Sequence, residues 1–231
     1  MGDDGPVHSD HMMSRRRASR DHRRGGDREL AIFLIDLLPH DMERRLGDAL
    51  AVYVDAMRYP RGTENQRAAM WLEHIRRRGW QGAGVVETQG AEDAGAQPPS
   101  AEDLASAPLL GVAYGYPGAP GQWWQQQVVL GMQRGGAPPQ EISRLMDSYF
   151  ELTELHIHPR AQGRGLGEAL ARRLLAGRAE RNVLLSTPET NGEPNRAWRL
   201  YRRLGFTDVI RGYHFAGDPR AFAILGRKLP L

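Results

Sequence analysis

The stretch that decides the fold is ELHIHPRAQGRGLGEALARRLL, residues 154–175. Its first part alternates like a strand and ends at Pro159, and its last part has the spacing of a helix. The turn between them carries three glycines, Gly163, Gly165 and Gly167. Glycine lets a backbone come close to a phosphate, and the free N–H groups of a helix N-terminus favour an anion. The stretch therefore predicts an anion-binding turn between a strand and a helix.

The spacing of this turn argues against two common nucleotide sites. A P-loop requires Gly-Lys-Ser/Thr, and the turn has no lysine. A dinucleotide fingerprint beginning at Gly163 would need a third glycine where Glu168 stands. The pattern that remains is Gln162-x-x-Gly165-x-Gly167, or else a glycine-rich turn that binds no ligand.

The remaining pattern resembles the acetyl-coenzyme A signature Q/R-x-x-G-x-G/A of the GNAT superfamily of N-acetyltransferases. Further along the chain, NRAWRLYRRLGF is similar to the second signature of that family, A-x-x-L-Y-x-x-x-G-F, here Ala197, Leu200, Tyr201, Gly205 and Phe206. The order of strands and helices from residue 30 to residue 229 also resembles the family layout. The resemblance thus covers nearly the whole region that is predicted to fold.

The resemblance implies a fold of the α/β class, specifically an α+β fold. The sheet is expected to be mixed, mainly antiparallel and six- to seven-stranded, splayed at its centre, with helices on both faces. The strands expected to part are those around Leu155 and Leu184. The residue pattern itself predicts a strand over 30–37 and helices over 42–57, 64–79, 166–181 and 195–204. A homodimer paired through the C-terminal strands is a further implication of the family.

The composition is that of an ordinary globular protein. Of 231 residues, 40% are hydrophobic, which is enough for a core. No apolar run approaches the roughly 18–20 residues that span a bilayer, so a cytoplasmic protein with no membrane partner is expected. Cysteine is absent, which excludes disulfides, thiolate nucleophiles and cysteine-ligated metals. The net charge of +3, with Lys228 as the only lysine, does not call for a nucleic-acid partner.

The domain organisation is predicted from shifts in composition. Residues 1–28 are expected to be a disordered basic tail whose start resembles an expression tag; its arginines favour a solvated arm over a nucleic-acid-binding one. Residues 29–231 are expected to form a single acetyltransferase domain with insertions at 87–107 and 117–148. In the second insertion, Trp123 and Trp124 either cover the acceptor as a lid or anchor an extra helix to the sheet.

The resemblance also implies which residues meet acetyl-CoA. The backbone of Leu155, His156 and Ile157 is expected to lie beside the pantetheine arm, with one N–H polarising the thioester carbonyl. Many relatives have an asparagine near the coenzyme at the position that is Pro194 in this chain. Asn195, one residue later, is a candidate N-cap as well as a candidate coenzyme contact. Arg160 and Arg164 are expected to add charge-assisted contacts. The turn expected to receive the pyrophosphate through its backbone N–H groups comprises Gly163, Arg164, Gly165, Leu166, Gly167 and Glu168, and Gln162 before it is a further candidate for cofactor binding.

Three residues are candidates for proton transfer. Tyr201 matches the tyrosine that protonates the departing thiolate in the family, although its helical face also suits a core aromatic. Glu151 and Glu154 are candidate general bases on the predicted strand. Their spacing of three predicts opposite faces of that strand, and the resemblance slightly favours Glu151. Each glutamate is equally well explained as a surface charge.

One segment of the chain also has the residue types of a metal site. Glu154, His156 and His158 alternate along one predicted strand, and two histidines with a carboxylate form a known ligand set. Since the same segment is expected to line the coenzyme, no metal is expected.

The predicted function is transfer of the acetyl group of acetyl-CoA to a primary amine of a small molecule or peptide. The absence of cysteine removes the commonest acyl-enzyme route and favours direct attack in a ternary complex. One alternative is a non-catalytic acyl-CoA-binding sensor on the same fold. Another is a nucleic-acid-associated protein that uses the arginine-rich tail.

Overall fold

The computed structural model describes residues 30–89, 98–189 and 195–231, so the predicted basic tail lies outside the described residues. Seven strands form a sheet in the order β1-β2-β3-β4-β5-β7-β6. Only β4 and β5 are parallel neighbours, and the other pairs are antiparallel. The mixed, mainly antiparallel sheet is therefore confirmed. Its strands are β1 (Leu30–Leu37), β2 (Gln81–Gln89), β3 (Leu109–Pro117), β4 (Tyr149–Ile157), β5 (Asn182–Pro188), β6 (Thr207–Tyr213) and β7 (Phe222–Lys228).

The helices depart from the predicted bounds at three places, one of which is the end of the helix predicted over 64–79 at Ile75. The helix predicted over 42–57 is two helices, because Arg45 leaves the helical region with φ −100° and ψ 14°. The helix predicted over 166–181 ends at Leu175, shortly before Gly177, which has a positive φ of 67°. The helices are α1 (Pro39–Arg44), α2 (Leu46–Met57), α3 (Thr63–Ile75), α4 (Ala101–Ser106), α5 (Trp123–Arg134), α6 (Pro139–Met146), α7 (Leu166–Leu175) and α8 (Arg196–Arg203). Across the described ranges, none is long and apolar enough to cross a membrane.

The core consists of three hydrophobic clusters on the two faces of the sheet. On one face, α7 and α8 pack against residues such as Phe150 and Leu185. The other face carries two clusters side by side. One contains α1 to α3 with Tyr114, and the other contains α5 and α6 with Tyr149. Helices therefore cover both faces of the sheet, as predicted.

The sheet is splayed between β4 and β5. The two strands pair only over Tyr149–Glu151 and Asn182–Leu184. Directly after Glu151, β4 contains a β-bulge, and a bulge bends its strand. An opening through the sheet therefore begins at Glu151, and the predicted parting of the two central strands is confirmed.

The bulge of β4 is accommodated by a glycine on β3. Thr153 has no partner, since Gly115 lies opposite Leu152 and Tyr114 lies opposite Glu154. A Cβ added to Gly115 would lie 2.1 Å from the carbonyl oxygen of Glu151. Any larger residue at this position would therefore force the two strands apart at the edge of the opening.

We expect Gly115→Ala to lower the free energy of unfolding by about 2–3 kcal/mol, because an added methyl group in a tightly packed core forces the backbone to move. Urea denaturation measures the change. Gly121→Ala is the matched control, since a Cβ there meets nothing within 4 Å; its effect should stay within about 0.5 kcal/mol. Similar losses of unfolding free energy in both variants would show that the close approach at Gly115 is not the cause.

The two tryptophans of α5 differ in their environment. Trp124 is buried in the cluster of α5 and α6, and its indole N–H donates to Oγ of Ser186 at 3.4 Å. Trp123 is 52% exposed and lies against Phe215, with 5.5 Å between the ring centroids. Trp124 therefore anchors the helix to the sheet, while Trp123 remains on the surface.

Candidate active site

The glycine-rich turn connects β4 to α7 in the conformation that its sequence requires. Gly163 and Gly165 have φ values of 82° and 77°, in the left-handed region that glycine adopts without strain. Among the described residues, no acceptor is found for the N–H groups of 163 through 167. The N–H of Glu168 already donates to the carbonyl of Gly165 at 3.1 Å. Five successive N–H groups are thus available to an anion.

Side chains fix this turn to its neighbours. Nε2 of Gln162 donates to the carbonyl of Ile157 at 2.9 Å, and Oε1 of Gln162 accepts from the guanidinium of Arg196 at 2.7 Å. One glutamine therefore joins the end of β4, the turn and the start of α8. Arg196 is a residue that the sequence analysis missed; its only signal was its place directly after the N-cap of that helix.

The charged residues of the turn have different surroundings. Arg164 is exposed, and within the described part of the chain it makes no ion pair. Arg160 instead pairs with Glu87 at 2.6 Å. The carboxylate of Glu168 is held by Arg203 and by Arg172, which lower its pKa. Arg164 is thus the arginine of the turn that remains available to a phosphate.

The edge of β4 that faces the opening presents free backbone groups. The N–H of His158 donates to the carbonyl of Leu110 in β3 at 2.8 Å. Successive residues of a strand direct their N–H groups to opposite edges. The N–H of His156 therefore also points toward β3, while those of Leu155 and Ile157 point into the opening.

The two glutamates lie on the same face of β4, so the prediction of opposite faces was wrong. Glu151 lies opposite Tyr116, and Glu154 lies opposite Tyr114. Those tyrosines are two residues apart on β3 and share a face. The unpaired Thr153 shifts the alternation of β4 by one residue, and this shift brings both carboxylates to the face covered by α1–α3 and α5–α6.

Glu151 is a buried carboxyl group at the start of the opening. It is 4% exposed, and the hydroxyl of Tyr116 donates to its Oε1 at 3.4 Å. Oε2 is buried without a hydrogen-bond partner in the described part of the structure. Burial raises the pKa of Glu151 to about 8. A carboxyl group of this kind is mostly protonated at pH 7 and becomes a proton acceptor as the pH approaches 8.

Glu154 and the nearby histidines form separate pairs. Oε2 of Glu154 lies 2.5 Å from Nε2 of His156, whose ring meets Tyr53 edge-on with a centroid distance of 4.9 Å. Nε2 of His158 instead contacts Asp55 at 3.3 Å. Across residues 30–89, 98–189 and 195–231, no group of three His, Asp or Glu side chains is arranged to hold a metal ion. Glu154 is therefore tied to His156, whereas Glu151 keeps a free oxygen.

Tyr201 lies on the opposite face of the sheet from these glutamates. It is buried in the cluster of α7 and α8, with Phe206 at a centroid distance of 5.7 Å. Burial raises the pKa of Tyr201, and the negative charge of Glu154 raises it further. The tyrosine therefore keeps its proton at neutral pH. It is also electrostatically coupled to a carboxylate on the far side of the sheet.

Asn195 caps α8. Its side-chain oxygen accepts from the N–H of Ala197 at 2.9 Å, as an N-cap residue does. The position of Pro194, where many relatives place the asparagine, lies outside the described residues. Contact of Asn195 with the coenzyme stays a prediction.

The comparison with known proteins agrees with this architecture. The family described as "Acetyltransferase (GNAT) domain" matches residues 124–208. The chain is 80% identical over 206 residues to the GCN5-like protein acetyltransferase Rv2170 of Mycobacterium tuberculosis, and the alignment covers 87% of this chain and 100% of that protein.

Two solved structures share the fold at low sequence identity. NAA60 of Arabidopsis thaliana, in complex with acetyl-CoA, has 16% identity and a TM-score of 0.53, over 86% of this chain and 99% of that one. The ribosomal-protein-S18-alanine N-acetyltransferase of Escherichia coli has 15% identity and a TM-score of 0.50, over 87% and 96%.

The chain belongs to the GNAT family of acetyltransferases. Its enzyme class is that of the N-acetyltransferases, and members of this family use acetyl-CoA. The predictions of family, fold class and enzyme class are therefore confirmed.

Proposed function

We propose that the protein transfers the acetyl group of acetyl-CoA to a primary amine, by direct attack in a ternary complex. The observation that carries the proposal is the opening between β4 and β5. It connects a face that bears two carboxyl groups with a face that bears Tyr201. A thioester in this opening has a proton acceptor on one side and a proton donor on the other.

The free backbone groups of the site suit the two ends of acetyl-CoA. The N–H of Leu155, directed into the opening, is the donor that we assign to the thioester carbonyl oxygen, where negative charge develops during attack. The N–H groups of Gly163 through Gly167 are assigned to the pyrophosphate, at the positive end of α7. Arg164 and Arg196 flank that turn and add charge-assisted contacts.

We assign the role of general base to Glu151. The incoming ammonium must lose a proton before it attacks, and catalysis is most effective when the base has a pKa near the working pH. Glu151 has a pKa of about 8 and an unpartnered oxygen beside the opening. Glu154, paired with His156, is the second carboxylate on that face and is assigned to orienting the amine.

Tyr201 is assigned to the leaving group. When the thioester carbon–sulfur bond breaks, the thiolate needs a proton, and we assign its donation to the Tyr201 phenol, which lies on the opposite face of the sheet from the two glutamates. The two proton transfers therefore take place on different faces of the sheet. Glu151 takes a proton from the amine on one face, and Tyr201 gives a proton to the thiolate on the other. Since the chain has no cysteine, a cysteine acyl-enzyme is excluded, which favours direct attack.

A protein or peptide amine is the acceptor that we favour. The curated relative at 80% identity is named a protein acetyltransferase. The acceptor side of the opening also lies between the cluster of α1–α3 and that of α5–α6.

Calorimetric titration of acetyl-CoA into the protein tests the cofactor part of the proposal. We expect saturable binding by the wild type and, for Arg164→Glu, affinity weakened by about tenfold or more, because an anion would replace a phosphate-facing cation. Arg144→Glu, an exposed charge reversal on α6, is the matched control and should bind as the wild type does. Absence of binding by the wild type would contradict the proposed function.

A further inference from the structure

A cleft of about 420 Å³ lies next to the candidate active site, between α3 and the loop that joins β6 to β7. Tyr59, Arg67 and Met70 line one wall, and Asp218 and Arg220 line the other. These residues take no part in the proposed transfer of the acetyl group.

One arginine of the cleft is fully engaged. The guanidinium of Arg220 donates to both carboxylate oxygens of Asp218, at 2.9 and 2.6 Å, and to the hydroxyl of Tyr59 at 2.7 Å. It also lies 5.3 Å from the centroid of the Phe222 ring. The Asp218–Arg220 pair therefore neutralises itself and fixes the loop against Tyr59.

The second arginine is not neutralised. Arg67 is half-buried, and in the described ranges it makes no ion pair. Its polar contact is the thioether sulfur of Met70 at 3.9 Å, which is a weak acceptor. Asp218 faces it across the cleft with both oxygens already on Arg220. The cleft thus holds one positive charge without a partner of its own.

This charge lies a short distance from the proposed reaction centre. The Tyr53 ring is 5.5 Å from that of Tyr59 in the cleft and 4.9 Å from the ring of His156, which contacts Glu154. The guanidinium of Arg67 lies 6.0 Å from the same Tyr53 ring. The Arg67 guanidinium therefore lies within about 11 Å of the His156 ring that contacts Glu154, a distance that an extended peptide covers in about three residues.

We propose that the cleft binds a carboxylate of the acceptor through Arg67, so that the preferred acceptor is a peptide with an Asp or Glu about three residues from the reactive amine. The inference rests on the proposed function and deepens it, since it names the chemistry of the acceptor. Arg67 acts on specificity and takes no part in the transfer itself.

The test uses the full chain, acetyl-CoA and short peptides that carry one amine, with Glu, Gln or Arg about three residues from that amine. We expect the wild type to use the Glu peptide with a kcat/KM about tenfold above that of the Gln peptide, mainly through KM, because a charged hydrogen-bonded pair is gained. The preference should shrink as salt is raised.

Substitutions of Arg67 test whether the cleft causes the preference for the Glu peptide. Arg67→Gln should bring the ratio of Glu to Gln peptides close to one, Arg67→Lys should retain part of it, and Arg67→Glu should favour the Arg peptide. Arg61→Gln is the matched control, since that exposed arginine already pairs with Asp55 and should keep the full ratio. Retention of the ratio in Arg67→Gln would overturn the assignment.

The outcomes separate this inference from the function on which it rests. Equal use of the Glu and Gln peptides by the wild type would overturn the inference and leave the acetyltransferase activity in place. Binding of acetyl-CoA without transfer to any peptide would overturn the peptide acceptor. Failure to bind acetyl-CoA at all would overturn the proposed function itself. Circular dichroism of each variant shows that it is folded.

Discussion

Glu151→Gln is expected to lower kcat by about 100-fold or more while making the protein more stable at alkaline pH. Loss of activity follows because glutamine has the shape of the carboxyl group but cannot take the proton of the ammonium. In the wild type, kcat/KM should rise with pH through an apparent pKa near 8, as Glu151 loses its proton. The variant should lack this inflection, which a pH–rate profile measures.

The gain in stability follows from the same pKa. The unfolded chain releases the Glu151 proton near the ordinary value of 4.5, whereas the folded protein holds it until about pH 8. The free energy of unfolding of the wild type therefore falls as pH rises across this window. Glutamine has no proton to release, so Glu151→Gln should be more stable than the wild type at pH 8 by about 3–5 kcal/mol, a gap that narrows toward about pH 5.

Two further variants make this prediction specific. Glu154→Gln should lower the rate yet keep the inflection near pH 8, since Glu151 is intact. Glu141→Gln, on the exposed side of α6, should change neither activity nor the dependence of stability on pH. An inflection near pH 8 that survives in Glu151→Gln would show that another group is the base.

Tyr201→Phe is expected to reduce kcat by about 100-fold with the affinity for acetyl-CoA nearly unchanged. Phenylalanine keeps the ring packed against Phe206 and removes only the hydroxyl that we assign to the departing thiolate. Steady-state kinetics with a peptide acceptor give kcat, and calorimetry gives the dissociation constant.

The control for this variant is a tyrosine outside the opening. Tyr213 lies in the cluster of α5 and α6, and its hydroxyl donates to Gln127 at 2.8 Å. Tyr213→Phe should leave kcat unaltered. If Tyr201→Phe behaved in the same way, Tyr201 would be a core aromatic, the alternative that its helical spacing allows.

The sequence predicted best what local chemistry dictates. Glycines at 163 and 165 are required by positive φ angles, so their spacing indicates the turn and the start of α7. This feature depends on residues close together in the chain. The splay of the sheet was predicted only through the resemblance to a family, which the two motifs carry.

The features that the sequence did not predict depend on contacts between distant segments. One unpaired residue, Thr153, decides that Glu151 and Glu154 share a face, and a bulge leaves no clear pattern in a single strand. Burial of Glu151 beside Tyr116 depends on the register of β3 and likewise could not be inferred. The early end of α7 was readable in principle from Gly177, a residue suited to the end of a helix.

The short pairing between β4 and β5 divides the sheet into two mechanical halves, β1–β4 and β5–β7, joined by three residue pairs. Under the proposed function, acetyl-CoA in the opening accepts hydrogen bonds from backbone N–H groups of β4 that have no partner on β5. Bound acetyl-CoA should therefore slow the exchange of the Leu155 and Ile157 amide hydrogens with deuterated water. Occupancy of the site is then measurable in the resting protein, without an acceptor and without turnover.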